Sequence, residues 1–322
     1  MQSLFFYSLK NLLTLASGLG EKKKLFILIY HRVLDSPDFM RPGEVDKKAF
    51  AWQVELLAKY FNVLSLGDAL DKLQTNQLPS RAVSITFDDG YADNFLNALP
   101  ILKRYNLKAT FFIASGYLNG GIMWNDKIIE GVRCIASEKL NLHNLGLEEF
   151  DVSNKAKKEK SAQQIINKVK HFDSDKRQEV ADFIMSKVDQ MPTDIMMTEE
   201  QLIQLHKAGM EIGGHTVSHP IMAKLDEQSV KQELKNNKLK LEQLLKITIR
   251  FFAYPNGKPG TDYKPEQIEQ VKAQGYEAAV STQWGAASPQ SDLYQLPRFT
   301  PWDTTPIRFI FRMLSIYMKP SK

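Results

Sequence analysis

Seven short runs of β-branched, aromatic and aliphatic residues recur along this chain, at 25–30, 62–66, 82–87, 108–114, 210–213, 249–254 and 276–281. Each is too short and too apolar for a surface helix, and polar or turn-forming residues bound it, so each predicts a buried strand. Helical periodicity separates several of them. Phe50, Val54, Leu57 and Phe61 share one face of a helix over 46–61. A helix over 91–105 carries Phe95, Leu99 and Leu102 inward, with Pro100 expected to kink or restart it. Val230, Leu234, Leu241 and Leu245 mark a long Lys-rich helix over 227–245, its lysines expected on a solvated face. Strand and helix in alternation predict a parallel α/β sheet or barrel.

The residues just past the strands carry the chemistry. The run 82–87 ends in Asp88-Asp89-Gly90. Side chains alternate along a strand, so two adjacent carboxylates are expected to point apart and take different tasks. One can bind a cation while the other stays free as a base. Downstream, the strand over 210–213 leads into His215-Thr216-Val217-Ser218-His219. Histidines four residues apart face one side if the segment turns helically, which suits a borderline cation such as zinc. Two His and one carboxylate leave coordination positions open for water and substrate.

Composition bounds the alternatives. At 322 residues, with 43% hydrophobic and 25% charged, the chain can bury a large core without staples. A single cysteine, Cys134, excludes an internal disulfide. The net charge of +5 permits an acidic substrate or an anionic membrane surface and is too weak to argue for nucleic acid.

Three parts follow from the pattern. Residues 1–24 hold an apolar helix, docked on the domain or lying in a membrane interface with Lys22, Lys23 and Lys24 as its basic flank. Lys10 and Asn11 interrupt the run, which fits a secretory signal poorly and is too short to span a bilayer. This favours the cytoplasmic side or a peripheral membrane position and leaves secretion open. Residues 25–303 form the main domain, broken at about 116–198 by a polar insert read as several helices. Asp126, near the start of the insert, is a residue that could face the site. Thr198 and Gln201 form a capping-box pattern where the insert ends. Residues 304–322 form a basic amphipathic helix, docked or touching a membrane.

Thr86-Phe87-Asp88-Asp89-Gly90 followed by His215-Thr216-Val217-Ser218-His219 resembles the first two motifs of the polysaccharide deacetylases, the NodB-homology or carbohydrate esterase family 4 group. The likeness covers roughly 26–300, with the insert in the middle. It implies a deformed barrel of the (β/α)7 type. In such barrels the site forms where the C-terminal ends of the strands meet, and the candidate residues all follow predicted strands. The likeness also implies that Asp89, His215 and His219 hold a divalent metal, with zinc the expected ion, and that Asp88 is the general base.

Two departures from the family pattern matter. Phe252-Ala253-Tyr254-Pro255-Asn256-Gly257 resembles the third motif, but Ala253 stands where an arginine usually holds the catalytic aspartate. Arg298 is the expected replacement. Asn256 replaces the usual tyrosine, and its main-chain amide can still serve an oxyanion. No histidine follows His219 to act as the general acid. Tyr30-His31-Arg32-Val33 resembles the N-terminal Tyr-His motif of the branch with a circularly permuted site, which includes poly-N-acetylglucosamine deacetylases, so His31 takes that role.

The resemblance implies hydrolysis of the N-acetyl groups of an amino-sugar polysaccharide or glycolipid. An N-deformylase or small-amide hydrolase on the same barrel is one alternative. A carbohydrate-binding protein without turnover is another, and the missing motif arginine favours it. Trp284 is read as lining a sugar groove or as core.

Overall fold

A computed structural model describes residues 10–18, 23–189, 192 and 194–318. In chain order these form α1 (residues 10–16), β1 (Leu25–Tyr30), β2 (Val33–Leu34), β3 (Val45–Asp46), α2 (Lys47–Tyr60), β4 (Asn62–Val63), α3 (Leu66–Gln74), β5 (Ala82–Phe87), α4 (Leu99–Arg104) and β6 (Thr110–Ile113). The insert follows as α5 (Trp124–Cys134), β7 (Lys139–Asn141), β8 (Glu149–Asp151), α6 (Lys155–Val169) and α7 (Ser174–Met185). Then come α8 (Glu199–Lys207), β9 (Glu211–Gly214), α9 (Glu227–Leu245), β10 (Phe251–Ala253), α10 (Pro265–Ala273), β11 (Ala278–Trp284), β12 (Leu296–Arg298) and α11 (Pro306–Tyr317).

The main sheet runs β1-β5-β6-β9-β10-β11-β12, all parallel, with β4 against the lower part of β5. Phe299, just past β12, nearly closes it into a barrel. Ile29 donates its N–H to the Phe299 carbonyl at 3.0 Å, and Phe299 donates to the Ile27 carbonyl at 2.9 Å. Closure removes the free edges that an open sheet would expose. This is the (β/α)7-type barrel expected from the sequence.

Alternation along the strands sorts the core into two layers. Leu25, Ile27, Ala82, Phe112, Phe251 and Val280 pack with Leu66, Leu70 and Leu73 of α3. The opposite faces send Phe26, Leu28, Tyr30, Ile85 and Phe87 against Phe50, Val54 and Leu57 of α2. Asp46 caps α2 by accepting from Ala49 N. Before Pro100 the backbone winds as a π-turn over Asn94–Ala98, and α4 restarts with the proline in its first turn. That position needs no N–H from the ring.

The insert departs from the sequence expectation in one respect. Besides α5, α6 and α7 it holds an antiparallel hairpin, Lys139–Asn141 against Glu149–Asp151. Three-residue strands carry too little periodicity to read. The insert has its own core of Ile128, Val132, Phe150, Ile165, Val180 and Ile184. Its end is sewn to the barrel: Ala92 N donates to Ile195 O at 2.9 Å and Met197 N to Gly90 O at 3.0 Å. The capping box at Thr198 and Gln201 is formed, with both reciprocal bonds present.

α1 and the last turn of α11 lie near the residues that precede β1 and β5. Leu13 of α1 is fully buried while Leu12 and Leu15 are exposed, and Arg81 Nη1 donates to Thr14 Oγ1 at 2.7 Å. Lys24 Nζ donates to Tyr317 O at 2.7 Å at the end of α11. Lys22, Lys319 and Lys322 lie outside the described residues. No helix among the described residues is long and apolar enough to cross a membrane.

Candidate active site

Asp88 continues the β5 ladder by donating its N–H to Tyr30 O at 2.9 Å, so β1 and β5 bring Tyr30-His31 alongside Asp88. The chain then turns sharply. Asp89 has φ +77 and Gly90 φ +91, a left-handed pair in which glycine carries no steric cost. The two carboxylates do part, but this turn separates them, where strand alternation was expected to do so.

Asp88 points to Arg298 at the end of β12. Arg298 Nη1 donates to Asp88 Oδ1 and Nη2 to Oδ2, both at 2.7 Å. Arg298 Nε is taken by Ser281 O at 2.9 Å. Both side chains are buried. Burial alone would push the Asp88 carboxyl up, but the Arg298 charge and hydrogen bonds, helped by His215 and His31, hold it below the usual carboxylate value.

Asp89 points to the histidines. His215 Nε2 and His219 Nε2 each lie 3.3 Å from Asp89 Oδ1. The three ligand atoms fall within 4.8 Å of one another. His215 follows β9, and its Nδ1 donates to Ala253 O at 2.7 Å, which leaves the Nε2 lone pair facing inward. Gly214 is required next to it, because a Cβ there would sit 2.5 Å from the Tyr276 hydroxyl and 2.7 Å from Asn237 Oδ1.

The segment carrying the second histidine is not helical. Thr216 (φ +63) and His219 (φ +53) are left-handed, and this bent loop brings the two rings to a centroid distance of 4.8 Å. The expected convergence is present, produced by loop geometry rather than by an i,i+4 helix face.

Electrostatics show what this cluster fits. Asp89 Oδ1 is buried with no hydrogen-bond partner. Burial favours its neutral form, yet His219, His215 and His31 outweigh that and hold the carboxyl far below the carboxylate range. Burial opposes charge on His215 as well, but Asp89 and Asp88 overcome it and the net shift is upward. For His219 burial wins, and its pKa is pushed down to about 4, leaving a neutral imidazole at neutral pH. Two inward imidazole nitrogens around one buried carboxylate oxygen call for a shared positive charge, which a proton on His215 or a bound cation supplies. A His₂Asp donor set of this kind fits a divalent cation such as zinc.

The remaining candidates stand nearby to different degrees. His31 lies close enough for its charge to lower both aspartates. Asn94 Nδ2 donates to His31 O at 2.8 Å, and Asp93 accepts from Arg32 Nε at 2.7 Å and Val33 N at 3.1 Å. Asn256 follows β10 in a left-handed conformation (φ +59), with its carbonyl accepting from Thr282 Oγ1 at 2.8 Å. It makes no direct hydrogen bond to the Asp-His cluster. Asp126 does not enter the site. It is buried one step behind it, accepting from Arg41 Nη2 at 2.6 Å and from the Tyr91 hydroxyl at 3.0 Å. Trp284 is half exposed at the end of β11, its ring parallel to Phe299 at 5.8 Å and 5.5 Å from Trp302.

Sequence reasoning missed the supports. Asn237 is fully buried in α9 and donates to Ile113 O and Ser115 Oγ, each at 2.9 Å, and to Thr216 O. It lies on the Val230-Leu234-Leu241 stripe, and a polar residue on an apolar stripe is the signal that could have found it. Asn94 and Asn97 likewise stand at buried positions where asparagine is a poor helix former.

With this geometry in hand, comparison with known proteins is decisive at the level of family. The polysaccharide deacetylase family pattern matches residues 75–279. This chain belongs to the polysaccharide deacetylase family. It is accordingly a hydrolase of amide carbon–nitrogen bonds. It is 24% identical over 276 residues, 85% of the chain and 70% of the relative, to YxkH of Bacillus subtilis, whose name assigns it to polysaccharide deacetylases. It is 26% identical over 180 residues, 52% of the chain, to the poly-beta-1,6-N-acetyl-D-glucosamine N-deacetylase of Staphylococcus aureus, spanning 60% of that protein. Among solved structures, the fold is similar to the Streptococcus pyogenes deacetylase PplD (TM-score 0.60, 22% identity, 92% of this chain and 99% of that one). It is also similar to IcaB from Ammonifex degensii (TM-score 0.58, 19% identity, 92% and 97%).

Proposed function

We propose that this deacetylase removes N-acetyl groups from an amino-sugar glycan, with Asp89, His215 and His219 holding a divalent cation, expected to be zinc. One observation carries the reading: an ionised, arginine-clamped carboxylate stands directly beside a His₂Asp cluster that requires positive charge. A cation held there supplies Lewis acidity and lowers the pKa of a water.

The chain's own residues divide the remaining work. Asp88 accepts a proton from water as the water oxygen adds to the acetyl carbonyl carbon. Arg298 keeps Asp88 charged and aimed, which burial alone would prevent. The Asn256 main-chain N–H is the assigned donor to the oxygen that gains charge. His31 gives a proton to the sugar nitrogen as the carbon–nitrogen bond breaks, so that a neutral amine leaves with acetate as the other product. The non-catalytic alternative rested on the missing arginine at 253, and Arg298 on Asp88 removes that ground.

The glycan of the Staphylococcus relative makes β-1,6-linked poly-N-acetylglucosamine the first substrate to try. Acetate release from that polymer and from short chitooligomers is the test, with zinc supplied or chelated. Zinc-dependent acetate supports the reading. Silence on every acetylated sugar, with zinc bound, rejects it and directs attention to formate release from N-formyl amides.

Peripheral membrane contact belongs to the same proposal. Ile307 and Phe311 are exposed on α11, with Arg308 and half-exposed Trp302 beside them. Apolar, aromatic and basic side chains on one face suit an anionic bilayer surface. Co-sedimentation with phosphatidylglycerol vesicles, lost in an Ile307→Asp/Phe311→Asp variant, tests it. Equal sedimentation of both proteins contradicts it.

A further inference from the structure

We propose that Glu233, on α9, is the positioning residue that holds His219 in the metal-binding geometry, so that cation affinity depends on it. The inference rests on the reading of Asp89, His215 and His219 as metal ligands.

The three ligands are held unequally. Asp89 sits in a turn fixed by main-chain bonds, its carbonyl accepting from Ala114 N at 3.2 Å. His215 is fixed by β9 and by Ala253 O. His219 rides on a loop with left-handed residues at both Thr216 and His219. For a β-branched residue such as Thr216 that conformation is strained, and it persists only where neighbours enforce it.

Glu233 is the neighbour that reaches the middle of the loop. Its Oε2 accepts from Val217 N at 2.7 Å and Ser218 N at 2.9 Å, and its Oε1 accepts from Ser218 Oγ at 2.6 Å. Successive main-chain N–H groups converging on a carboxylate form a nest, and hydrogen bonds to an ionised acceptor are the strong kind. The carbonyls of the same two residues are gripped from the other side, by Gly116 N at 2.8 Å and by the Tyr117 hydroxyl at 2.9 Å. His219 N closes the loop on Thr216 Oγ1 at 3.1 Å. One turn along α9, Asn237 anchors Thr216 O, so α9 presents two side chains to the His-to-His loop.

Removing Glu233 leaves His215 and Asp89 where they are and frees the ligand that this loop carries. Outer residues that orient metal ligands are typically worth about 10–100-fold in affinity. The experiment measures zinc affinity by competition with a chromophoric chelator, and unfolding of the zinc-free protein, for wild type, Glu233→Ala, Glu233→Gln, Ser218→Ala and His219→Ala. Glu233→Ala is expected to weaken zinc about 10–100-fold while its zinc-free form unfolds much as wild type does. Glu233→Gln should recover most of the affinity, because the amide oxygen still accepts from both N–H groups. Ser218→Ala should fall between.

Wild-type affinity in Glu233→Ala, with His219→Ala impaired, overturns the inference and leaves the metal reading intact. Equal losses in Glu233→Gln and Glu233→Ala overturn it too, since the carboxylate would then act by charge alone. No zinc binding by wild type, or none lost in His219→Ala, overturns the metal reading and the inference with it. Should Glu233→Ala fail to fold, the Gln and Ser218→Ala variants decide the question by the same criteria.

Discussion

Arg298 closes on Asp88 with two parallel 2.7 Å hydrogen bonds from the end of β12, across 210 residues of sequence. Parallel N–H groups meeting both carboxylate oxygens fix orientation as well as charge, which a lysine cannot do. The clamp comes from β12, whereas Ala253 on β10 has no side chain that could make it.

The clamp has a pH consequence. The folded pKa of Asp88 is depressed, so the stabilisation from the pair is in place above the ordinary carboxylate range and is lost as pH falls through the depressed value. In Arg298→Met burial is opposed only by His215 and His31, so the pKa moves up. The acid limb of kcat/KM should therefore shift to higher pH, with a loss at neutral pH on the order of 10²-fold or more. Stability should drop by about 3–5 kcal/mol, since a buried charge loses its partner. An unshifted acid limb would show that Arg298 does not set the ionisation of Asp88.

His31→Ala should lower turnover by about 10²–10⁴-fold while zinc stays bound. The His31 carbonyl, not its ring, takes the Asn94 bond, so the loop has no reason to collapse. The loss should shrink on substrates with a better leaving amine, which need less protonation. Equal losses on good and poor leaving groups would move the general-acid role elsewhere.

The insert is coupled to the site through buried charge. Arg41 bridges Asp126 at 2.6 Å and Glu130 at 3.0 Å, and the Tyr91 hydroxyl bonds Asp126. Burial raises the Asp126 pKa despite Arg41 and Arg32, so its ionisation opposes stability. Arg41→Met strands two carboxylates and should cost about 3–5 kcal/mol. Asp126→Asn should cost less, about 1–3 kcal/mol. Urea titrations compare them, and the opposite ranking would contradict this account of the network.

Much of this was legible because the decisive residues stand at strand ends. The apolar runs ending at Tyr30, Phe87 and Gly213 identify β1, β5 and β9, and the polar residues after each mark the barrel mouth. Local reasons were less reliable than positions. The divergence of Asp88 and Asp89 and the meeting of His215 and His219 both come from left-handed turns, which periodicity does not encode. Strand limits drifted too: β11 begins at Ala278 and runs to Trp284, beyond the apolar run ending at Ser281. Glu233 and Asn237 were hidden among the lysines of α9, because their partners are main-chain atoms of a distant loop.

The division of labour between the adjacent aspartates is the central claim, and one paired measurement tests it: zinc bound per chain and acetate released, for wild type, Asp88→Asn and Asp89→Asn. The account predicts that wild type binds zinc and releases acetate, that Asp88→Asn binds zinc and releases almost none, and that Asp89→Asn does neither. Acetate release by Asp88→Asn at the wild-type rate, or zinc held by Asp89→Asn as tightly as by wild type, would contradict it.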